Sequence, residues 1–510
     1  MPRGKKKQRV ANTQEIGFEE KIWQAADKMR GHIDASEYKN VVLGLIFLKY
    51  ISDRFDQRHT ELVEEGEDFE EDRDEYEANG IFWVPRDARW EVVAVAAHTL
   101  EVGKTIDNAM RIEAENDSLK GILPKNFARQ ELDKRMLGDV VDLFTNVRIA
   151  GDENTQDVLG RTYEYCLAKF AEQEGKNAGE FYTPTCIVRT LVEIVQPYHG
   201  RVYDPCCGSG GMFVQSAKFV EHHAGKISDI SVFGQESNPT TWKMAKMNLA
   251  IRGIEADLGA HSADTFFDDL HRDKRFDFVM ANPPFNDSDW GGDRLRVDPR
   301  WDYGVPPAGN ANFAWLQHMV HHLNDRGRMG MVLANGSLSS QQSGEGDIRA
   351  NLVRDDVAEG VIALPDKLFY STGIPVCLWI IDKAKKHRMT EAGKVLFVDA
   401  RELGTMVSRR LRELKDDDIA KISGAFDAFR KGELEEEKGF SAAVILDEVA
   451  KQDYILTPGR YVGIADVEED EEPFDDKMKR LTGELAKCFE ESNRLQDEIK
   501  RNLEAIGYGM

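Results

Sequence analysis

Hydrophobic residues recur every three or four positions along the first third of the chain, which predicts a region built from helices. Phe18, Ile22 and Met29 follow this spacing, and so do the apolar residues between Val41 and Tyr50. The same period returns at 132–143 and at 155–171. We therefore predict a helical N-terminal domain over residues 15–172.

An acidic stretch from Glu64 to Glu77 interrupts this helical pattern. Charges of one sign repel each other and favour solvent. We predict a solvated loop or an insertion there. The first 14 residues carry a cluster of lysines and arginines, and we interpret them as a basic, disordered tail.

The pattern changes near residue 179, where short β-rich runs begin to alternate with helical stretches. The predicted strands are 201–204, 231–235, 276–281, 330–334, 360–363 and 376–381, and the predicted helices between them are 212–223, 240–252, 311–323 and 347–355. Strands separated by helices indicate a doubly wound, mostly parallel α/β sheet, which we assign to residues 173–466. Ligands of such sheets bind beyond the carboxyl ends of the strands, so candidate chemistry is sought there.

The last residues, 467–510, predict a separate C-terminal helix. Acidic residues and Pro473 form a break, and a narrow apolar stripe follows from Met478 to Ile506. This stripe is compatible with packing on the chain's own globular part or with docking on a helix of a partner protein. The pattern alone leaves both interpretations open.

Composition and charge narrow the class of protein. The chain has 510 residues with a net charge of −24. Since nucleic acids are bound mainly through positive charge, we expect any nucleic-acid binding surface to be a local basic patch or to be shared with a partner protein. The longest apolar run, 41–48, is too short to span a bilayer. The N-terminus lacks the apolar core of a secretory signal. Six cysteines without zinc-type spacing favour a reducing, cytoplasmic location.

A glycine-rich loop directly follows the first predicted strand. It runs from Asp204 through Cys206, Cys207 and Gly208 to Gly210 and opens a helix. Glycines let a backbone approach a ligand closely. The loop matches neither the dinucleotide pattern nor a phosphate-binding P-loop. Asp204 would suit a cationic group better than a pyrophosphate.

Two further acids follow the next strands. Glu236 ends its strand at an offset similar to that of acids that bind ribose hydroxyls. Asp264 is placed to accept a hydrogen bond from an adenine amino group. Either acid alone is more often a solvated carboxylate, but their order after successive strands favours a nucleoside site.

The most specific feature is the run Asn282, Pro283, Pro284 and Phe285, which follows the apolar strand 276–281. Two prolines fix the backbone and remove two N–H donors. The side-chain oxygen of Asn282 and the carbonyl of Pro283 can then accept both N–H bonds of an exocyclic amine. Phe285 can stack on a planar ring. We call residues 282–285 the elbow.

These motifs together resemble the S-adenosylmethionine-dependent DNA adenine-N6 methyltransferases. The stretch 179–184 resembles the family's motif beside the methionine end of the cofactor. The segments 23–31 and 45–52 are similar to the helical domain of type I restriction–modification methylase subunits (HsdM), and 364–375 and 457–463 also resemble that family. The resemblance implies a Rossmann-like methyltransferase domain.

The resemblance also implies site residues and partners. The cofactor would be held by Glu180, Phe181, Tyr182, Thr183, Pro184, Thr185, Asp204, Cys206, Cys207, Gly208, Gly210, Glu236 and Asp264, and the flipped adenine by Asn282, Pro283, Pro284 and Phe285. Partners would be double-stranded DNA, a specificity subunit, a second methylase copy and a motor-nuclease subunit. The tail helix would contact the specificity subunit.

Three alternatives remain at this point. The same elbow could serve N5 methylation of a protein glutamine, whose amide offers two N–H bonds, or methylation at cytosine N4. A third possibility is a DNA-binding scaffold that has lost the chemistry. We expect no metal site, because paired histidines such as His321 and His322 point apart on a helix.

Overall fold

The chain divides into two compact units, Met1–Gly463 and Ile464–Met510. A computed structural model describes residues 19–20, 22–24, 27, 35–66, 69–146, 155–174, 182–369, 373–464 and 474–505. Both the predicted helical domain and the predicted sheet domain lie in the first unit. The boundaries of the four predicted domains stay predictions.

The first part of this unit is helical, as its periodicity predicts. The apolar residues between Val41 and Ile51 are almost fully buried. They point to all sides of one long helix, so this part of the helix is enclosed by its neighbours. The helices are α1 (Ala35–Glu65), α2 (Arg73–Glu77), α3 (Trp90–Ala96), α4 (Val102–Ala109), α5 (Lys134–Asn146) and α6 (Thr155–Glu174).

The acidic stretch 64–77 is not simply a solvated loop where the structure describes it. Helix α1 continues to Glu65, and α2 begins at Arg73. Tyr76 is fully buried, and its ring stacks on Phe55 with 4.4 Å between centroids. The burial of one aromatic side chain anchors an otherwise charged segment, which a rule based on charge alone overlooks.

A mostly parallel sheet forms the second part, and within the described residues it has nine strands in the order β11-β8-β6-β7-β5-β4-β1-β2-β3. Strands β1 to β5 are parallel in neighbouring pairs, and β6 pairs parallel with β8. Strand β7 runs antiparallel between β5 and β6. The strands are β1 (Gly200–Asp204), β2 (Ile230–Gly234), β3 (Ala256–Asp257), β4 (Phe276–Ala281), β5 (Leu323–Ala334), β6 (Ala358–Ala363), β7 (Val376–Asp382), β8 (Lys394–Asp399) and β11 (Ser441–Ile445), and a separate hairpin pairs β9 (Thr405–Met406) with β10 (Arg412–Glu413).

Helices cover both faces of this sheet, which confirms the predicted fold class. In β4, Val279 and Ala281 join one buried cluster while Met280 joins the other, because side chains alternate between the two faces. The helices are α7 (Thr185–Val195), α8 (Gly211–His222), α9 (Pro239–Ile251), α10 (Asn312–His322), α11 (Glu345–Arg354), α12 (Asp416–Lys431) and α13 (Leu446–Lys451).

A buried ion pair ties α12 to the sheet. Glu359 of β6 is fully buried and accepts hydrogen bonds from Arg430 at 2.6 and 3.0 Å. Arg328 lies 3.5 Å from the same carboxylate. Burial alone would raise the pKa of Glu359, but the two guanidinium charges and the hydrogen bonds outweigh it and lower the pKa to about 2.

The second unit contains a helix, α14 (Phe474–Ala505), of 32 residues. Apolar side chains along it are exposed, including Leu485, Phe489 and Ile499. The predicted stripe therefore lies on a helix of the expected length. Ile506, at the end of the predicted stripe, lies outside the described residues. Among the described helices none combines the length and apolar character needed to cross a membrane.

Candidate active site

The glycine-rich loop joins β1 to α8 and requires its glycines. Gly208 and Gly210 have φ angles of +53° and +82°, in the left-handed region that other residues enter only with strain. The loop is fixed by the Cys207 N–H, which donates to the Gln235 carbonyl at 2.9 Å, and by the Gly210 N–H, which donates to the Cys207 carbonyl at 2.8 Å. The result is a tight cradle at the carboxyl end of β1.

Two buried carboxylates support this cradle. Asp204 accepts a hydrogen bond from the Cys206 N–H at 3.0 Å, and Glu236 accepts from the Gly208 N–H at 3.1 Å and the Asn238 N–H at 2.8 Å. Burial raises the pKa of Asp204 to about 8, and the nearby charge of Glu236 adds to the effect. Burial also raises the pKa of Glu236. The site therefore suits a cation, because a bound positive charge would favour the ionised forms of the Asp204 and Glu236 carboxyls.

The elbow presents one polar atom without a protein partner. The Asn282 side-chain amide donates through Nδ2 to Thr183 Oγ1 at 3.0 Å. Its Oδ1 is buried and accepts no hydrogen bond from the part of the chain that the structure describes. A buried acceptor without a partner is costly. Since Thr183 holds the amide nitrogen, the amide oxygen is the atom left for a ligand.

Contacts with neighbouring residues hold the rest of the elbow in place. Pro283 is buried and Pro284 is exposed. The half-buried ring of Phe285 meets Phe369 edge-on, with 5.7 Å between centroids. Asn286 and Asn312 exchange hydrogen bonds of 3.0 and 2.8 Å, which fasten the elbow to the start of α10.

A cleft lies between the cradle and the elbow. It brings together residues that are distant in the sequence. Of the predicted site residues, it is lined by Tyr182, Thr183, Thr185, Asp204, Cys206, Cys207, Gly208 and Asn282.

The other predicted site residues lie elsewhere. Gly210 ends the glycine-rich loop, Glu236 accepts a hydrogen bond from the loop's Gly208 N–H, and Pro184 precedes the first residue of α7. Asp264 is exposed, and its Oδ1 accepts from the Phe266 N–H at 2.8 Å. Glu180 and Phe181 are outside the described residues. The roles assigned to all predicted site residues stay predictions.

Sequence reasoning missed three polar residues that also line the cleft: Glu164, Gln215 and Asn248. Glu164 of α6 accepts from Thr185 Oγ1 at 3.1 Å and lies 3.4 Å from Arg252. Asn248 donates to the Ser209 carbonyl at 2.7 Å. The one available signal was Asn248 itself, a polar residue in the otherwise apolar end of α9.

A cluster of histidines lies apart from the cleft. The ligand atoms of Asp269, His318 and His322 lie within 4.8 Å of one another. Their hydrogen bonds account for this geometry, because His322 faces Asp269 at 2.9 Å and the Lys274 carbonyl at 3.2 Å, and His318 Nδ1 faces Arg300 at 3.1 Å. The cluster connects α10 to the segment before β4 and, through Arg300, to the loop before α10.

The cleft residues fit S-adenosylmethionine. That cofactor carries a positive sulfonium and an ammonium group, and the cradle supplies two buried carboxyls with raised pKa values. The positive-φ glycines permit close approach of a ligand to the backbone. The acceptor Asn282 Oδ1 lies on the same cleft.

Two family models match the chain. The model described as N-6 DNA Methylase matches residues 154–470. The model described as HsdM N-terminal domain matches residues 18–144.

Two curated proteins are similar over most of the chain. The methylase subunit of the type I restriction enzyme HindI from Haemophilus influenzae is 46% identical over 417 residues, or 80% of this chain and 93% of that protein. The methylase subunit of the type I restriction enzyme MjaIX from Methanocaldococcus jannaschii is 40% identical over 517 residues, or 96% and 92% of the two chains.

Solved structures agree. A type I restriction-modification system methyltransferase subunit from Streptococcus thermophilus superposes with a TM-score of 0.75 and 25% identity, over 88% of this chain and 99% of that one. A chain from a study of complex assembly in a type I restriction-modification system has a TM-score of 0.61 and 20% identity over 96% and 99% of the two chains, and it supports the fold alone.

The fold and the cleft thus define a methyltransferase with a doubly wound α/β sheet. The chain belongs to the methylase subunits of type I restriction enzymes, within the N-6 DNA methylase family. The resemblance stated from the sequence motifs is confirmed.

Proposed function

We propose that this chain is the modification subunit of a type I restriction–modification complex and a site-specific, adenine-specific DNA methyltransferase. It transfers a methyl group from S-adenosylmethionine to the N6 amino group of adenine. The observation that carries the proposal is the buried, unpartnered Oδ1 of Asn282 on the wall of the cleft. An acceptor in that position is matched by an exocyclic N–H bond.

The elbow would make the N6 amino group of adenine a better nucleophile. The N6 lone pair of adenine is delocalised into the ring, so it is a poor nucleophile. Asn282 Oδ1 and the Pro283 carbonyl accept its two N–H bonds and favour the pyramidal, positively charged geometry that develops during transfer. S-adenosylmethionine, when bound, supplies an electrophilic methyl group on a sulfonium.

Fixed positions of the reacting groups would supply the rest of the rate acceleration of methyl transfer. Thr183 holds the Asn282 amide in one orientation through its 3.0 Å hydrogen bond, which lowers the reorganisation needed at the moment of reaction. A duplex hides N6, so the base has to be flipped out of the helix, and Phe285 offers a ring on which it can stack. Methyl transfer needs no titratable base, because the proton can leave N6 after the methyl group has been transferred.

The cofactor would lie along the glycine loop. Tyr182, Thr183 and Thr185 border one side of the cleft, and Asp204 with the backbone at Cys206, Cys207 and Gly208 borders the other. Glu236 would hold ribose hydroxyls, and Asp264 would accept from the adenine amino group of the cofactor. Glu180, Phe181, Pro184 and Gly210 complete the proposed cofactor-binding set.

The proposed partners follow from the family. They are double-stranded DNA, a specificity subunit that reads the base sequence, a second methylase copy and a motor-nuclease subunit. A structurally similar chain comes from a study of the assembly of such a complex. The exposed apolar side chains of α14 suit a helix of the specificity subunit.

Tritiated methyl transfer tests the proposal. Expressed with its neighbouring gene products, the wild-type chain should label duplex DNA at adenine N6, and Asn282→Ala should abolish labelling while S-adenosylmethionine still binds in calorimetry. Label on a protein glutamine would instead support the N5-glutamine alternative. Absence of any cofactor binding would support a silent scaffold, and a near-normal rate in Asn282→Ala would refute the role of the elbow.

A further inference from the structure

The hairpin of β9 and β10, residues 404–413, concentrates positive charge in an acidic chain. The stretch from Gly404 to Arg412 contains three arginines and no acid, although the chain as a whole carries −24. Arg409 and Arg410 at the tip are exposed. Neither forms an ion pair with a residue in the described part of the chain. These two cations are therefore available to an external anion.

The tip is a defined turn. Arg412 pairs with Met406 and Glu413 with Thr405 across the two strands. The Ser408 hydroxyl oxygen accepts from the Arg410 N–H at 3.2 Å and from the Leu411 N–H at 3.1 Å. Because the backbone between the strands is fixed, the two arginines project from a preorganised turn, which lowers the entropy lost on binding.

The base of the hairpin is connected to the elbow by contacts. The Arg412 N–H donates to the Lys367 carbonyl at 2.8 Å, and its guanidinium lies 3.8 Å from Asp366. Two residues further along the same loop, Phe369 packs edge-on against Phe285 of the elbow. The hairpin and the elbow thus share one supporting loop.

The sheet sets the separation between them. The hairpin follows β8 and the elbow follows β4, and both lie at the carboxyl edge because β4, β6 and β8 run in the same direction. Four strand spacings separate β8 from β4, or about 19 Å. At 3.4 Å per base pair that corresponds to roughly five or six base pairs of duplex.

We propose that Arg409 and Arg410 bind the phosphate backbone of the DNA about half a helical turn from the adenine held by the elbow. This inference rests on the proposed function, since it needs DNA as the substrate. The exposed side chains of Met406 and Val407 flank the arginines and provide apolar contact with the sugar edges of the same groove. The hairpin would steady the duplex while the elbow holds the flipped base.

The test is the salt dependence of DNA binding by the full chain. Wild type and Arg409→Ala/Arg410→Ala are titrated with a fluorescent duplex from about 50 to 200 mM salt. The double variant should bind at least roughly tenfold more weakly at the lowest salt, with a slope of log affinity against log salt smaller by about 2, equally for unrelated sequences. Binding of S-adenosylmethionine should not change.

A matched control removes two charges elsewhere. Arg201 near the start of β1 and Arg272 just before β4 are exposed and lie at the opposite edge of the sheet. Arg201→Ala/Arg272→Ala should keep the wild-type slope. The proposal is overturned if the hairpin variant and this control have the same slope, or if wild type fails to bind duplex at the lowest salt.

Two further outcomes separate this proposal from the proposed function. In the first, wild type methylates DNA, and the hairpin variant keeps the wild-type salt dependence of DNA binding but loses a protein partner in co-purification. The hairpin is then a protein contact, and only this inference fails. If wild type labels a protein glutamine rather than DNA, the proposed function fails with it.

Discussion

The raised pKa of Asp204 should make cofactor affinity depend on pH. Burial raises the pKa of this carboxyl to about 8, so near neutral pH the ligand-free protein holds the proton. A bound sulfonium or ammonium favours the carboxylate, so binding must release that proton. Affinity for S-adenosylmethionine should therefore rise as the pH increases toward 8 and level off above it.

The size of the effect follows from linkage. Below its pKa, each pH unit makes the ionised carboxylate ten times rarer, which corresponds to about 1.4 kcal/mol. With a pKa of about 8, about half of the carboxyl is ionised at pH 8 and about 1% at pH 6, so the affinity should fall by up to about 50-fold, or about 2.3 kcal/mol. Asp204→Asn keeps the shape and the acceptor for the Cys206 N–H but does not titrate, so this variant should lose that part of the slope.

Calorimetry at pH 6, 7 and 8, in buffers of different ionisation enthalpy, measures both affinity and protons released. The cofactor's own amino group also titrates in this range, and the Asp204→Asn profile subtracts its share. S-adenosylhomocysteine lacks the sulfonium charge, so comparison of the two ligands identifies which cation the carboxylate faces. Coincident profiles for wild type and Asp204→Asn would refute the reasoning.

Four other predictions follow from the same contacts. Thr183→Val should slow methyl transfer by freeing the amide that Thr183 orients, and Thr183→Ser should restore it in a single-turnover assay. Arg430→Met should cost about 3–5 kcal/mol in urea unfolding, because it leaves Glu359 buried with less compensation. Since the folded-state pKa of Glu359 is about 2, below its usual 4.5, its contribution to stability is present above pH 4.5 and lost as the pH falls toward 2. Gly210→Ala, at φ +82°, should weaken cofactor binding and lower the melting temperature. Deletion of 474–505 should leave cofactor binding intact and abolish co-purification with the specificity subunit, and unchanged co-purification would contradict that docking role.

The strands were predictable where apolar runs were short and bounded. The predicted strand 276–281 matches β4, and 376–381 lies within β7. Strand β8 was not among the predicted strands, although its core residues are apolar, and the antiparallel position of β7 between β5 and β6 was not predicted. Strand order depends on which edges pair in three dimensions, and a local pattern does not encode that choice.

The site was predictable to the extent that its residues are adjacent in the sequence. The glycine loop and the elbow are contiguous motifs, so their residue types reveal them. Glu164 reaches the cleft from α6, and Thr183 meets Asn282 across 99 positions of sequence. Contacts of that kind arise only when distant parts of the chain meet in the folded structure, and no spacing rule anticipates them.

The arrangement of charge explains how an acidic chain can serve a cationic cofactor and an anionic substrate at one edge of a sheet. The acids that would meet the cofactor, Asp204 and Glu236, are buried, and burial raises the pKa of both carboxyls, so that a bound cation would favour their ionised forms. The arginines proposed to meet DNA, Arg409 and Arg410, stand at an exposed hairpin tip. Between them the elbow carries no charge, so it can accept the N–H bonds of a neutral base without repelling the phosphates on either side. A carboxylate at the place of Asn282 would bind a developing ammonium more strongly, but it would also repel the DNA that has to bring the base there. The neutral amide avoids that conflict, and the hydrogen bond from its nitrogen to Thr183 leaves the acceptor facing the cleft.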